Sequence, residues 1–522
     1  MQTKILSTSE YDISLAGKMI AQGGLVAFPT ETVYGLGANA LDDEAVKSIY
    51  AAKGRPSDNP LIVHVSDKAD IAPLVKEITP KAQALIDKFF PAPLTIILPK
   101  SEKVGKVVSG GLDTVAVRMP ENETARRLIK AAGCPVAAPS ANTSGLPSPT
   151  KAKYVIDDMS GKIDAIIDGG DCAFGVESTV ITLATKTPTI LRPGAVTREM
   201  IEEVIGRVDV ARAVLEGMKN DEVAASPGMK YKHYAPKAKV IIVDADKKAY
   251  ENFVNSRQDA FALCFEEDNI TIPKVTFGRE NDDLSQAREL FDALRQLDEM
   301  GAKRVYARIP NATGVGMAVY NRLIRAAAFN IIDLKKPFFI GLTGQSGAGK
   351  GYVGERLSAL GFNVLDCDKF VKKIYNNNAE LLQKLAAEFG NDIFKGNALD
   401  RKRLAEIAFF SKENTDKLNK MVHPEVIALC EKAAEPLAVL DAPQLFEAGA
   451  QSKCYKVISV IAPYDIRLKR ITERDGITKE QADARLNAQL DEEYYINHSD
   501  FVIYNNGENI DIQIKKIMEE IL

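Results

Sequence analysis

The plainest chemistry in the chain sits in its last third. Gly344-Gln345-Ser346-Gly347-Ala348-Gly349-Lys350 follows an apolar run at 338–342 and precedes a helical pattern. Strand, glycine loop, lysine and helix come in the order that phosphate binding requires. The glycines let backbone N–H groups turn inward around phosphate oxygens. The helix N-terminus adds its positive end, and Lys350 reaches the β and γ phosphates. The next position departs from this pattern. Gly351 stands where a Ser or Thr hydroxyl would bind magnesium, the ion that bridges β and γ oxygens during phosphoryl transfer. The segment therefore predicts an ATP site served by Mg2+, with weakened metal positioning unless water or another side chain substitutes.

A second constellation lies near the start. Pro29-Thr30-Glu31-Thr32-Val33-Tyr34-Gly35-Leu36-Gly37 follows an apolar run at 24–28. Its small hydroxyls and glycines permit a ligand to approach the backbone closely. Lys53, Arg55, Asn59 and His64 come next. Two cations, an amide and an imidazole so close together suit an anionic ligand.

These residues must be held by more than one folding unit. The chain has 522 residues, 46% of them hydrophobic and 26% charged. At about 150 residues per domain, three or four domains with sizeable cores are expected. The net charge of −4 shows none of the basic excess of a protein that grips nucleic acid by its backbone, which leaves only a local basic patch open. Cys134, Cys172, Cys264, Cys367, Cys430 and Cys454 are scattered without a C-x-x-C pair, so buried thiols in a reducing compartment are expected. His64, His233, His423 and His498 are equally far apart, and no metal cluster is visible. The first residues are charged and polar where a signal peptide needs an apolar core. No run reaches the roughly 18 apolar residues of a membrane span, and the expected location is the cytoplasm.

Apolar runs bounded by turn residues mark strands at 24–28, 61–65, 94–98, 115–117, 135–138 and 165–167, with helical patterns at 43–52 and 123–132. This mixed α/β part extends over 1–206. A stretch rich in Tyr, His and Lys follows within 207–238 and is too distinctive for a plain linker. A small α/β unit occupies 239–334, with strands at 240–243, 261–264, 274–277 and 304–308 and helices at 285–300 and 317–328. Lys335-Lys336-Pro337 then breaks the pattern. From 338 to 522 strands at 338–342, 363–365, 437–440, 457–461 and 501–504 alternate with helices, which predicts a parallel sheet covered on both faces.

The last part resembles dephospho-coenzyme A kinase over nearly all of 338–522. The resemblance is carried by Gly341-Leu342-Thr343-Gly344, Asp366-Cys367-Asp368, Leu399-Asp400-Arg401, Val422-His423-Pro424 and Asp441-Ala442-Pro443-Gln444-Leu445-Phe446-Glu447. Arg467, Arg470, Arg474-Asp475-Gly476, Ala488-Gln489 and Asn505-Asn506-Gly507 complete it. It implies a P-loop kinase fold and transfer of the ATP γ-phosphate to the ribose 3′-hydroxyl of dephospho-coenzyme A. Asp368 would accept the hydroxyl proton. Arg467, Arg470 and Arg474 would form a lid that neutralises developing charge. Asp441 and His423 would contact dephospho-coenzyme A, although a histidine before a proline is equally readable as a core residue.

The first part resembles the threonylcarbamoyl-AMP synthase family, with its YrdC-like fold, over about 8–205. Ala92-Pro93-Leu94-Thr95, Val117-Arg118-Met119-Pro120, Pro139-Ser140-Ala141-Asn142-Thr143-Ser144-Gly145, Ser148-Pro149-Thr150, Glu177-Ser178-Thr179-Val180 and Arg192-Pro193-Gly194 carry that likeness in order. The segment 226–236 resembles the linker of the two-domain form. Residues 239–334, with Gly316, Asn321-Arg322-Leu323 and Ala326-Ala327, resemble its small Rossmann-like domain. The resemblance implies condensation of L-threonine, bicarbonate and ATP to threonylcarbamoyl-AMP and pyrophosphate, feeding proteins that modify an adenosine of tRNA. Thr32, His64, Arg118 and Ser178 would hold threonine or its carbamate. Lys53, Arg55, Asn59, Ser140, Asn142, Ser148 and Arg192 would hold ATP, and Tyr231 or Tyr234 would close over the nucleotide. Ser178 has no companion histidine nearby in sequence, so catalysis by orientation and charge stabilisation, with Arg118 central, is expected over a nucleophile.

Rival readings are an RNA-binding module or carbamoyltransferase for the first part. For the last part they are another small-molecule kinase or a nucleotide-binding domain made inert by Gly351. No stable nucleic-acid binding is expected. The two implied reactions share no intermediate beyond their use of ATP.

Overall fold

Period-two alternation builds the sheet that carries the first constellation. Val26 and Phe28 enter one apolar core while Ala27 between them enters another, so the sheet is packed on both faces. In the computed structural model, which describes residues 2–216, 234–257, 259–335, 339–396, 398–434, 437–507 and 509–521, this sheet is mixed and has eleven strands. Its central order is Val26–Phe28, Gly35–Asn39, Val136–Ala137, Ile62–His64, Thr114–Arg118, Leu94–Pro99, Thr179–Thr182 and Thr189–Arg192. Helix Asp43–Lys53 begins where the Asp42 side chain accepts from Glu44 and Ala45 N–H groups. It ends at Gly54, whose φ of 62° suits a residue without a Cβ. That stop places Lys53 and Arg55 at the edge of the first constellation.

The small α/β unit has the strand order Lys274–Thr276, Phe261–Cys264, Arg304–Arg308, Lys239–Asp244 and Ile331–Asp333, the first four pairing in parallel. Helix Asp283–Glu299 buries Leu290, Leu294 and Leu297 against it. Most of the segment expected at 207–238, including Tyr231, lies outside the described residues. So do Lys336 and Pro337 of the expected break.

Contacts divide the chain into two compact units, Met1–Ile332 and Asp333–Leu522. The second holds a five-stranded sheet in the order Asn363–Asp366, Ala438–Asp441, Phe339–Gly344, Cys454–Ile461 and Phe501–Tyr504, parallel throughout. Asp441 pairs in register with Asp366 on one side and Leu342 on the other, so acids and phosphate loop share the carboxyl edge. All six cysteines are free. Cys172, Cys264 and Cys430 are buried as expected, whereas Cys134, Cys367 and Cys454 are only half-buried. Among the described residues no helix is long and apolar enough to cross a membrane.

Candidate active sites

Strand register assembles the first site. His64 lies beside Arg118 in parallel pairing, and Thr95 lies beside Arg118 in antiparallel pairing. Arg118 is buried. Its Nη2 donates to Glu31 Oε1 at 2.6 Å and to Thr32 Oγ1 at 3.0 Å. Its Nε has no partner among the described residues, which leaves a buried donor beside the cavity that Arg118 lines. Ser178 shares a 2.8 Å hydrogen bond with Thr95 and accepts from Arg192 Nη2 at 3.2 Å. Arg192 reaches it because pairing of Thr179–Thr182 with Thr189–Arg192 shifts register between Ile190 and Arg192.

The cavity brings together Arg55, His64, Arg118, Ser140, Arg192 and Tyr234 of the expected residues. Thr32, Asn59, Asn142, Ser148 and Ser178 are buried around it without lining it. The Asn59 side-chain amide has no partner among the described residues, while Arg55 Nη2 donates to the Asn59 and Pro60 carbonyls. Lys53 is placed differently from the expectation. Its ammonium donates to the carbonyls of Ser140 and Asn142, so it braces the loop and does not face the cavity. Burial, followed by the Arg55 charge, pushes its pKa well below the ordinary lysine value. Burial likewise lowers that of Arg55 to about 10.

His64 is neutral in this environment. Burial, then the charge of Arg118, lowers its pKa from 6.5 to about 3. A folded-state value below the unfolded one means that the associated stability is fully present above about pH 6.5 and is lost as pH falls toward 3. Thermal melts of the intact chain should show this acid-side decline, and His64→Gln should flatten it. The rate of the reaction at this site should show no inflection near 6.5 that His64→Gln removes; such an inflection would mean that the imidazole titrates freely.

Glu31 and Glu177 stand inside the sequence motifs but carry no expected role. Both are buried, and both contact site residues: Glu31 holds Arg118, and Glu177 Oε1 accepts from Ser148 at 2.6 Å. The signal available was a single acid within a motif otherwise suited to anions, which needs a cation beside it once buried.

The second site is a cleft of about 1100 Å³. The loop residues Gly344, Gln345, Ser346, Gly347, Gly349, Lys350 and Gly351 line it; Ala348 is buried behind them. Gly347 has a φ of 77°, and an added Cβ would meet the Arg467 carbonyl oxygen at 2.8 Å. The loop is braced from outside. Gln489 Oε1 accepts from Ser346 N at 2.9 Å, and Asn505 Nδ2 donates to the Ala348 carbonyl at 2.7 Å. Lys350 pairs with Asp441. Burial raises the Asp441 pKa, and the neighbouring ammonium opposes the rise.

The two aspartates of Asp366-Cys367-Asp368 have separate positions. Asp366 caps helix Cys367–Asn377 by accepting from Lys369 N, whereas Asp368 and His423 line the cleft. Arg470 also lines it and donates to the Gly347 carbonyl at 3.1 Å. Arg474 lines it in a two-point pair with Asp475, at 2.7 and 2.8 Å. Arg467 corrects the lid expectation. It is buried away from the cleft, donates to the Ala462 carbonyl and lies over the Tyr464 ring. Arg485, which sequence reasoning missed, lines the cleft and shares Asp475 with Arg474.

Both halves match known families. The family model described as Telomere recombination matches residues 18–194. The one described as Threonylcarbamoyl-AMP synthase, C-terminal domain, matches 196–328, and the one described as Dephospho-CoA kinase matches 338–511. The chain is similar to a threonylcarbamoyl-AMP synthase of Pyrococcus abyssi (strain GE5 / Orsay), 47% identical over 334 residues that cover 62% of this chain and 96% of that protein. It is similar to a dephospho-CoA kinase of Fusobacterium nucleatum subsp. nucleatum, 40% identical over 183 residues that cover 34% of this chain and 94% of that protein. The crystal structure of P. abyssi Sua5 complexed with L-threonine matches with a TM-score of 0.61 at 46% identity, over 63% of this chain and 99% of that one. Nothing in these comparisons supports an RNA-binding module, a carbamoyltransferase or an inert nucleotide-binding domain.

Proposed function

The chain belongs to the threonylcarbamoyl-AMP synthase family in its first two thirds and to the dephospho-CoA kinase family in its last third, and on that premise we propose how its residues divide the work. The protein is a bifunctional enzyme. The first activity condenses L-threonine, bicarbonate and ATP to threonylcarbamoyl-AMP with release of pyrophosphate. The second phosphorylates the 3′-hydroxyl of dephospho-CoA.

One observation carries the synthase assignment of roles: the cation-lined cavity with unpartnered buried donors on Arg118 and Arg55. Such donors fit an anion that replaces water. Arg118, ordered by Glu31 and Thr32, holds the threonine carboxylate or the carbamate, with neutral His64 beside it. Arg55, Ser140 and Arg192 face the phosphates, and Tyr234 closes the nucleotide end. Ser178, Thr32, Asn142, Ser148 and Lys53 hold these groups in place from behind. The preset charge favours the transition state without a protein nucleophile.

For the kinase, the carrying observation is Lys350 beside Asp441 and Asp368 at the carboxyl edge of a parallel sheet. Asp368 takes the proton of the 3′-hydroxyl. Lys350, Arg470 and Arg474 hold the phosphates, His423 faces dephospho-CoA, and Asp441, expected to contact dephospho-CoA, lies outside the cleft lining and holds Lys350. Magnesium enters with substrate ATP. Among the described residues no group of three or more His, Cys, Asp or Glu side chains is placed to hold a metal ion; oxygens of the bound ATP would supply further ligands. Asp368 and Asp441 are hard oxygen donors that fit the ion, which neutralises phosphate charge when bound.

Domains at 1–206, 239–334 and 338–522, a linker at 207–238, a cytoplasmic location and hand-over to tRNA-modifying proteins complete the proposal. The test is direct. The intact protein given ATP, threonine and bicarbonate should yield pyrophosphate and the threonylcarbamoyl adduct by mass spectrometry. With dephospho-CoA and ATP it should yield CoA and ADP. Absence of either product pair overturns that half.

A further inference from the structure

Arg322 is the largest fully buried side chain among the described residues. A buried guanidinium is stable only where its donors are matched. Its Nε donates to Glu177 Oε2 at 2.8 Å, and its Nη2 donates to the Glu177 carbonyl at 3.1 Å. Its Nη1 donates to the Pro193 carbonyl at 2.7 Å and to Asn321 Oδ1 at 3.1 Å. Arg322 comes from helix Gly316–Ala326 beside the small sheet, whereas Glu177 and Pro193 flank strands of the large one. Glu177 immediately precedes Ser178, and Pro193 immediately follows Arg192. The other oxygen of the same carboxylate holds Ser148 at 2.6 Å, and Glu177 itself lines the cavity.

Adhesion between the two parts does not depend on this one group. Arg295 donates to the Pro147 carbonyl at 2.6 Å and to Asp158 at 2.9 Å, and Lys151 pairs with Asp292 at 3.0 Å. Those contacts hold the boundary without touching Ser178 or Arg192.

We propose that Arg322 is a positioning residue of the synthase site, orienting Ser148 through the Glu177 carboxylate and fixing Ser178 and Arg192 through the carbonyls beside them. The proposal rests on the synthase reading above. It makes the small domain a working part of the active site. The charged and titratable groups facing Glu177 are Arg322, Arg192, Lys53 and Tyr234. Burial pushes the Glu177 pKa up, but Arg322, Arg192 and the Ser148 hydroxyl outweigh it and hold the value at about 2. Without the Arg322 charge, burial gains and the carboxyl takes up a proton at higher pH. A protonated Glu177 no longer offers Ser148 the same charged acceptor.

The experiment uses the intact chain, with its CoA-forming activity normalising for the amount of chain and the melting transition of the first unit reporting how much of that unit is folded. Arg322→Gln should lower kcat for threonylcarbamoyl-AMP about 100-fold, the scale of a misplaced reacting group. It should also move an acid limb of the rate profile toward neutral pH. Glu177→Gln in the Arg322→Gln background should remove that limb. This double variant also removes the unpaired buried charge, so it serves if Arg322→Gln alone does not fold. Arg322→Lys should keep a flat profile but not the full rate, because an ammonium lacks the planar fork. Wild-type kcat, KM and pH profile in Arg322→Gln would overturn the proposal. So would a rate loss matched by lost folded protein with an unshifted profile. Failure of the wild-type chain to form the adduct would instead overturn the synthase reading.

Discussion

Arg118→Ala is expected to lower threonylcarbamoyl-AMP formation by at least about 100-fold, the scale measured when one preset charge-stabilising donor is removed. CoA formation by the same molecules should be unchanged. The guanidinium is buried, yet only part of it is engaged, by Glu31 and Thr32, and Nε stays without a partner. Truncation thus removes a cavity-lining charge and also breaks the ion pair of Glu31, which is 6% exposed in its side chain. Breaking one half of a buried pair costs about 3–5 kcal/mol, so the first unit should melt earlier. Glu31→Gln separates the two effects. Arg118→Met with Glu31→Gln should recover most of the melting temperature while the synthase stays inactive. If the double variant regains activity together with stability, Arg118 is a structural ion-pair partner and its assigned role fails. Steady-state rates for both reactions and a two-transition melt decide this.

Several strands that carry the two sites were legible because they are long or strongly apolar. The runs read at 94–98, 437–440 and 457–461 correspond to strands Leu94–Pro99, Ala438–Asp441 and Cys454–Ile461. Gly35-Leu36-Gly37 falls in the stretch expected to admit a ligand and begins strand Gly35–Asn39 instead, although its glycines disfavour a strand on local preference. Tertiary pairing with Val26–Phe28 and Val136–Ala137 overrides that preference. Thr179–Thr182 and Thr189–Arg192 were missed for a related reason: short threonine-bearing strands lack a distinctive apolar run.

The sites were legible as residue types and less so as orientations. A motif names a lysine, but only packing shows that the Lys53 ammonium turns to the Ser140 and Asn142 carbonyls. It names three arginines on one helix, Tyr464–Asp475, yet the turn of that helix buries Arg467 and leaves Arg470 and Arg474 at the cleft. Glu177 and Arg322 lie 145 positions apart, so no local spacing could pair them. What sequence transmits poorly is which charged group is spent on the protein itself.

That distinction sets the second expectation. Three aspartates gather at the carboxyl edge of the parallel sheet. Asp366 is committed to capping a helix and Asp441 to Lys350, which leaves Asp368 of the three at the cleft. Asp368→Asn should therefore lower kcat for CoA formation about 100- to 10,000-fold, the range of a general base. The KM for ATP should move little. Asp366→Asn, which keeps a capping oxygen, should stay within a few-fold of wild type, since Asn caps about as well as Asp. A larger loss in Asp366→Asn than in Asp368→Asn would exchange their roles. Gly351→Ser tests the remaining irregularity in the opposite direction. A Cβ built on Gly351 meets no atom within 4 Å, so the added carbon carries no steric cost. Its hydroxyl should lower the Mg2+ concentration needed for half-maximal CoA formation while the melting temperature holds. An unchanged magnesium requirement in Gly351→Ser would mean that the ion does not approach this helix start, and that carboxylates and phosphate oxygens already complete its coordination.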